Sequence, residues 1–226
     1  RAARGRQVRR QAVQGVRRPA RRGRSVVNAL SEWLEVEVRD GEHIYRQRFE
    51  RGNAMYDLKV CGDTTETGTT VTFKPDGEIF KDTLVFQYNT LLRRLREQAF
   101  LNAGVHIVLT DQRDPENVVS DTLCYEGGIR SFVEYIHSRT TANPIHPDVV
   151  YLSAADGDSI AEIAFQYNDS FEETILSFAN NIHTTDGGTH ETGFKTALTR
   201  VFNEYGHRFK LIKEDESFLP RTCGRV

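Results

Sequence analysis

Residues 1–24 hold ten arginines and not one acidic residue. They show neither a helix period nor a strand period, so no amphipathic face runs through them. Whatever packs in this chain must therefore begin at Ser25, where patterned sequence starts abruptly. The charge divides at the same place. Ten of the 30 basic residues lie in this arm, which leaves 20 against 32 acids in the body. By charge alone, such an arm grips nucleic acid or another anionic surface. The chain has 226 residues, 38% of them hydrophobic, enough for one large domain or two small ones with a real core.

Val26, Val27, Ala29, Leu30, Trp33 and Leu34 read as the end of an amphipathic helix. Strand patterns follow at 34–39 and 43–49, with Asp40-Gly41 between them as a hairpin signal. Two more strands fit 57–60 and 68–73, the second ended by Lys74-Pro75-Asp76-Gly77. Residues 88–103 read as a helix. Leu91, Leu92, Leu95, Ala99 and Phe100 share one face, while Arg93, Arg94, Arg96 and Glu97 point away. Leu91, Leu95 and Phe100 are expected to be buried against a sheet, and Gly104 is expected to end the helix as its C′ residue. Strands fit 105–109 and 119–125. Gly127-Gly128 marks a break before a short helix at 129–138. Asn143-Pro144-Ile145-His146-Pro147 is a rigid connector.

Beyond Val149 the pattern alternates. Ala161, Ile163, Phe165 and Tyr167 face one way, with Glu162 and Gln166 opposite. Asn168-Asp169 reads as a turn and 174–182 as another strand. Thr189 is placed to cap a final helix with a stripe of Phe194, Ala197, Leu198, Val201, Phe202 and Tyr205. There is no internal repeat. Strands with appended helices define an α+β class.

Several chemistries find no support. No apolar run approaches ~20 residues, so no membrane span is expected, and the basic start has no apolar signal-peptide core. Cys61, Cys124 and Cys223 give neither a disulfide framework nor a metal-ligand spacing. A reducing cytoplasm is the expected setting. Gly127-Gly128 and Gly187-Gly188 lead into no P-loop lysine and read as turns or hinges. His146, His183 and His190 lack a metal-ligand spacing and read as structural or surface groups. Asp156, Asp158 and Glu162 read as a solvated edge.

A series of segments carries a specific resemblance. They are Ser25-Val26-Val27-Asn28-Ala29-Leu30, Tyr45-Arg46-Gln47-Arg48-Phe49, Thr67-Gly68-Thr69-Thr70-Val71 and Leu95-Arg96-Glu97-Gln98-Ala99-Phe100-Leu101-Asn102. Later come Tyr125-Glu126-Gly127-Gly128-Ile129, Gln166-Tyr167-Asn168-Asp169, Asn180-Asn181-Ile182, Asp186-Gly187-Gly188-Thr189-His190 and Ala197-Leu198-Thr199-Arg200. In order and spacing, residues 25–218 resemble the ATPase region of bacterial type II DNA topoisomerases, nearest to the gyrase B family. Topoisomerase IV B-type subunits share most of these segments.

The resemblance implies two domains. Residues 25–127 would be the C-terminal part of a GHKL-type (Bergerat) α/β sandwich, the fold shared with heat-shock protein 90, histidine kinases and the mismatch-repair protein MutL. Residues 128–226 would begin a transducer domain like domain 2 of ribosomal protein S5. In the family, ATP binding closes two B subunits on double-stranded DNA, and the transducer passes that closure to the A subunit and the DNA-cleaving core. The cofactors implied are ATP and Mg²⁺. The family's general base, Mg²⁺ asparagine, adenine-reading acid and γ-phosphate lysine map onto no residue of this chain. No catalytic or metal residue is therefore expected in it. Thr69, whose hydroxyl would help hold adenine, and Val71 beside it are the nucleotide-pocket residues implied. Without the resemblance both are ordinary strand residues.

At residues 1–24 the family has a glycine-rich phosphate lid. Codons for Arg6-Gln7-Val8-Arg9-Arg10-Gln11 and the first base of the Ala12 codon, written CGG CAA GTT CGG CGG CAA G and read one nucleotide later, spell GKFGGK. Residues 13–22 treated likewise spell YKVSGGLHGV, again lid-like. Residues 221–226 read one nucleotide earlier contain EDVRAG, which would make Cys223 a product of the shifted frame. We therefore expect 1–24 to be a frame-shifted, disordered segment and 221–226 to be shifted too. A lid needs glycines to bring backbone N–H groups to an anion in unusual φ/ψ, and arginine disfavours positive φ. This chain alone is then expected to be inactive. The competing reading is a nucleic-acid-binding protein that uses a genuine arginine arm.

Overall fold

The computed structural model describes residues 25–170 and 173–218. The arm at 1–24 and the tail from 219, with Cys223 and the frame readings made on both, lie outside the described residues. The chain divides into two compact units, the first ending at Phe86 and the second beginning at Gln87. Helix and sheet are mixed in the manner expected of an α+β chain.

The first unit opens with helical residues 25–29. It continues as β1 (Ser31–Asp40), β2 (His43–Glu50), β3 (Asn53–Ala54), β4 (Lys59–Asp63) and β5 (Thr67–Pro75). These form one antiparallel sheet in the order β3-β2-β1-β5, with β4 also paired to β2. Trp33 and Leu34 therefore belong to a strand, not to the end of a helix. Their spacing fits a helix, but pairing on both sides decides. Leu34 lies between Phe49 of β2 and Phe73 of β5 and is 5% exposed. The β1–β2 turn forms as expected. The Asp40 carboxylate accepts from the N–H groups of Glu42 (2.9 Å) and His43 (2.8 Å), which holds it below its ordinary range. Gly41 sits at φ 96°, open to glycine. Strand β4 lies later than the expected 57–60. Its register on β2 slips at Cys61, a bulge that breaks the alternation on which a strand reading depends.

After β5 the chain turns around one buried carboxylate. Asp76 is 3% exposed. Its Oδ1 accepts from the Glu78 N–H (2.9 Å) and its Oδ2 pairs with Arg51 Nε (2.8 Å). Its own N–H donates to the Leu30 carbonyl (3.1 Å), and its carbonyl accepts from Ile79 (3.1 Å) and Phe80 (2.9 Å). Asp76→Ala is expected to cost about 1–3 kcal/mol, because it removes two carboxylate hydrogen bonds, one of them to the charged Arg51. Trp33, the one tryptophan of the chain, reports this unit in urea unfolding followed by fluorescence. An unchanged midpoint would contradict the clamp.

The second unit holds α1 (Tyr88–Leu101), a hairpin of β6 (Ile107–Asp111) and β7 (Val119–Leu123), and α2 (Ile129–His137). A second hairpin of β8 (Val150–Asp156) and β9 (Ser159–Phe165) follows. Then come β10 (Phe178–Ala179), β11 (Ile182–His183) and α3 (Thr189–Arg208). The centre is aromatic. Phe100 of α1, 1% exposed, stacks on Tyr125 (3.7 Å between centroids) and on Phe132 of α2 (4.7 Å). Leu91 and Leu95 are half-buried rather than buried. Tyr88 donates to Asp121 (2.5 Å), and that bond pushes its hydroxyl up to about 12.

Several expectations need correction here. Gly104, at φ 77°, lies two residues beyond the C-cap Asn102 rather than one. Gln166 does not face solvent; it is 6% exposed and donates to the carbonyls of His146 (2.7 Å) and Pro147 (3.2 Å). Those bonds pin the proline connector, and they outweigh the alternation that would have turned Gln166 outward. Ala161 is exposed. Residues 174–182 are not one strand. Asn180 and Asn181 both take positive φ, 51° and 64°, and reverse the chain between β10 and β11. Two central residues at positive φ are the mark of a type I′ turn. The α3 cap is Gly188, without a side-chain bond, and Thr189 is the first helical residue. Of the α3 stripe, Phe194, Leu198 and Phe202 are half-buried, while Ala197, Val201 and Tyr205 are exposed.

Candidate functional site

The sheet of the first unit has two chemically opposite faces. Alternation sends Leu34, Val36 and Val38 of β1 to one side. On that side they meet Phe49, Gln47 and Tyr45 of β2, and Phe73, Val71 and Thr69 of β5. The other side carries Glu35, Glu37 and Arg39 against Arg48, Arg46, Thr70 and Thr72. Charges are matched there. Arg46 pairs with Glu37 (2.6 Å) and Glu35 (3.7 Å), which holds the Glu37 carboxyl below its ordinary range. Arg39 donates to the Thr70 hydroxyl (3.3 Å).

Thr69 and Val71 thus share the apolar face, two residues apart on β5. Val71 is 50% exposed and Thr69 is exposed. Among the described residues the Thr69 hydroxyl makes no hydrogen bond, in contrast to Thr70. A flat apolar wall with one free hydroxyl suits a planar heteroaromatic ring that carries a polar edge. The residues present therefore fit the base of a nucleotide. They do not fit a metal ion: among the described residues no group of three His, Cys, Asp or Glu side chains could hold one.

Two hollows lie elsewhere, in the second unit, and neither is lined by Thr69 or Val71. One of about 730 Å³ runs along α3 past Asp186, Thr189, Thr192, Thr196 and Arg200. The other, of about 340 Å³, lies beside Phe100, Glu126, Arg130 and Tyr151. Both glycine pairs are turns that lead into helices. Gly128 (φ 58°) precedes α2, and Gly187 (φ 70°) lies before the Gly188 cap. His146 is structural, since its Nε2 accepts the Tyr167 N–H (3.0 Å) and its Nδ1 donates to the Asp148 carbonyl (2.7 Å). His183 lies against the ring of Phe178, and His190 Nε2 meets the Thr184 hydroxyl (3.2 Å). Glu162 accepts from the Tyr151 hydroxyl (2.6 Å).

One polar cluster was not read from the sequence. Ser177 donates to Glu191 (2.9 Å), and Lys195 bridges Glu191 (3.1 Å) and Glu173 (3.0 Å). The Ser177 bond, with Lys195, lowers the Glu191 carboxyl, and the Glu173 bond raises Lys195. The spacing of Glu191 and Lys195, four apart on α3, was the available signal.

Comparison with known proteins shows what the chain as a whole is similar to. The DNA gyrase B family model matches residues 128–222. The B subunit of DNA gyrase from Staphylococcus aureus (strain MRSA252) is 51% identical over 197 residues, which is 87% of this chain and 30% of that protein. Its Staphylococcus epidermidis counterpart is 49% identical over the same shares. Among solved structures, the 43K ATPase domain of Thermus thermophilus gyrase B, in complex with an aminocoumarin, matches with a TM-score of 0.73 and 36% identity. That match covers 87% of this chain and 53% of the other. The chain thus spans about a third of the length of the curated relatives it matches, and it belongs to the DNA gyrase B family.

Proposed function

We propose that this chain supplies part of the ATP-operated clamp of a type II DNA topoisomerase. In this reading, ATP binding and hydrolysis are coupled to DNA strand passage and supercoiling. The observation that carries it is the match to the gyrase B ATPase domain at a TM-score of 0.73 and 36% identity. Residues 25–127 are the back of a GHKL-type sandwich, and 128–226 begin an S5-like transducer, with the junction at Gly127-Gly128. The partners are a second B-type protomer, the gyrase A protein and double-stranded DNA, and the setting is the bacterial cytoplasm. No described helix is long and apolar enough to cross a membrane.

Thr69 and Val71 form the adenine wall, with the free Thr69 hydroxyl facing the base edge. ATP titration tests this in the chain with its reading frame restored and the flanking family segments joined to it. Thr69→Ala is expected to weaken ATP binding about 2- to 12-fold, the value of one neutral hydrogen bond. Circular dichroism should stay unchanged. Equal affinity in both proteins would remove Thr69 from the site.

A further inference from the structure

Cys124 and His106 face each other across the last rung of the β6–β7 hairpin. The register pairs Ile107 with Leu123, so the next pair outward is His106 with Cys124. The backbone still closes beyond it, where the Gly104 N–H meets the Tyr125 carbonyl at 3.3 Å. The hairpin ladder on one side and this single backbone bond on the other thus hold the side chains in register. Cys124 Sγ lies 3.3 Å from His106 Nε2. Their neighbours on this face are Val108, Thr110, Ser120 and Thr122, so the strand face around the pair carries no charge. His106 is exposed, Val108 is 62% exposed, and Cys124 is half-exposed. Leu123, on the opposite face, is 3% exposed.

A thiol is a weak nucleophile until its proton leaves, and a base within hydrogen-bond reach supplies that step. The molecule holds its own comparison. Cys61 is exposed, but its Sγ lies against the Lys59 carbonyl oxygen (3.8 Å), which can accept a hydrogen bond but cannot serve as a base. Cys124 instead faces a nitrogen that can take the proton.

We propose that Cys124, with His106 as its base, is a modification site for low-molecular-weight disulfides. The Cys124 proton passes to His106 Nε2. The thiolate sulfur attacks one sulfur of the disulfide, and the old S–S bond breaks. Its electron pair departs on the leaving sulfur, which takes the proton back from His106. The products are one mixed disulfide on Cys124 and one free small thiol, with no other oxidant needed. The proposal does not depend on ATP binding or DNA chemistry.

The test is exposure of the purified full chain to glutathione disulfide at neutral pH, with timed acid quenching and peptide mapping of each cysteine by mass. Cys124 is expected to gain the glutathione adduct about tenfold faster than Cys61. The advantage should vanish in urea, where the hairpin no longer holds the pair together. His106→Gln should bring Cys124 down to the Cys61 rate, with unchanged circular dichroism. Two further variants keep the test decisive if that protein misfolds: His106→Asn, which should lose the advantage, and Thr122→Ala, which should keep it. Equal rates at Cys61 and Cys124 in the folded chain would overturn the proposal, as would full Cys124 reactivity without His106.

Discussion

The 226-residue chain is expected to release no phosphate from ATP above a mock purification. Phosphoryl transfer depends almost wholly on positioning and on charges that offset those building on the phosphoryl oxygens. In the reading proposed above, the base, the Mg²⁺ asparagine and the γ-phosphate lysine fall on no residue of this chain. The positions corresponding to lid glycines carry Arg9-Arg10, Arg17-Arg18 and Arg21, whose Cβ atoms oppose the positive φ a lid requires. What remains is the Thr69 hydroxyl and the Val71 wall. One neutral hydrogen bond gives about 0.5–1.5 kcal/mol, far short of what holds a nucleotide at millimolar concentration, about 4 kcal/mol. Restoring the frame in both terminal segments, with the flanking family segments joined on, should bring turnover back. A coupled phosphate-release assay decides. Turnover by the unrepaired chain that is lost on Thr69→Ala would refute the assignment.

Phe100→Ala should lower the stability of the second unit by about 3–5 kcal/mol. The ring is almost wholly enclosed, sandwiched between Tyr125 and Phe132, with Tyr135 a further 5.4 Å neighbour. Removing it deletes the apolar burial and leaves a cavity between two stacked rings that cannot close onto each other across the gap. Leu95→Ala, on the same helix but half-buried, should cost less. Thermal melts by circular dichroism compare the two. A Phe100→Ala melt equal to that of the parent chain would show that the aromatic stack is not the core of this unit.

Much of this architecture was legible because its periods are clean. The Asp40-Gly41 turn, the α1 face ending in Phe100 and the presence of the β5 strand all follow from residue type and spacing. The misses share a cause: each depends on a partner distant in sequence or on a special backbone state. Leu34 fits a helix period until Phe49 and Phe73 take it from both sides. Gln166 reads as an outward polar residue until two connector carbonyls claim its amide. Asn180-Asn181 sits inside a run that reads as one strand, and only the positive φ of both asparagines turns it into a hairpin. At the candidate site, the composition of β5 predicts a strand and nothing more. Thr69 and Val71 became candidates through the resemblance. The pairing with β1 then showed that they stand on the apolar face.

That two-faced sheet also bears on how the chain reaches its fold. A slip of β5 along β1 by one residue would set Val71 against Glu35 or Glu37 instead of Val36. It would also turn every side chain of the strand to the opposite face. Val71 and Phe73 would then lie among carboxylates, and Arg46 would face a strand whose threonines had left that side. No neighbouring alignment preserves even part of the native set of contacts. Pairings misaligned by one residue are therefore disfavoured. The alternation that makes one face a candidate for a nucleotide base serves, during folding, as a proofreading rule for the sheet.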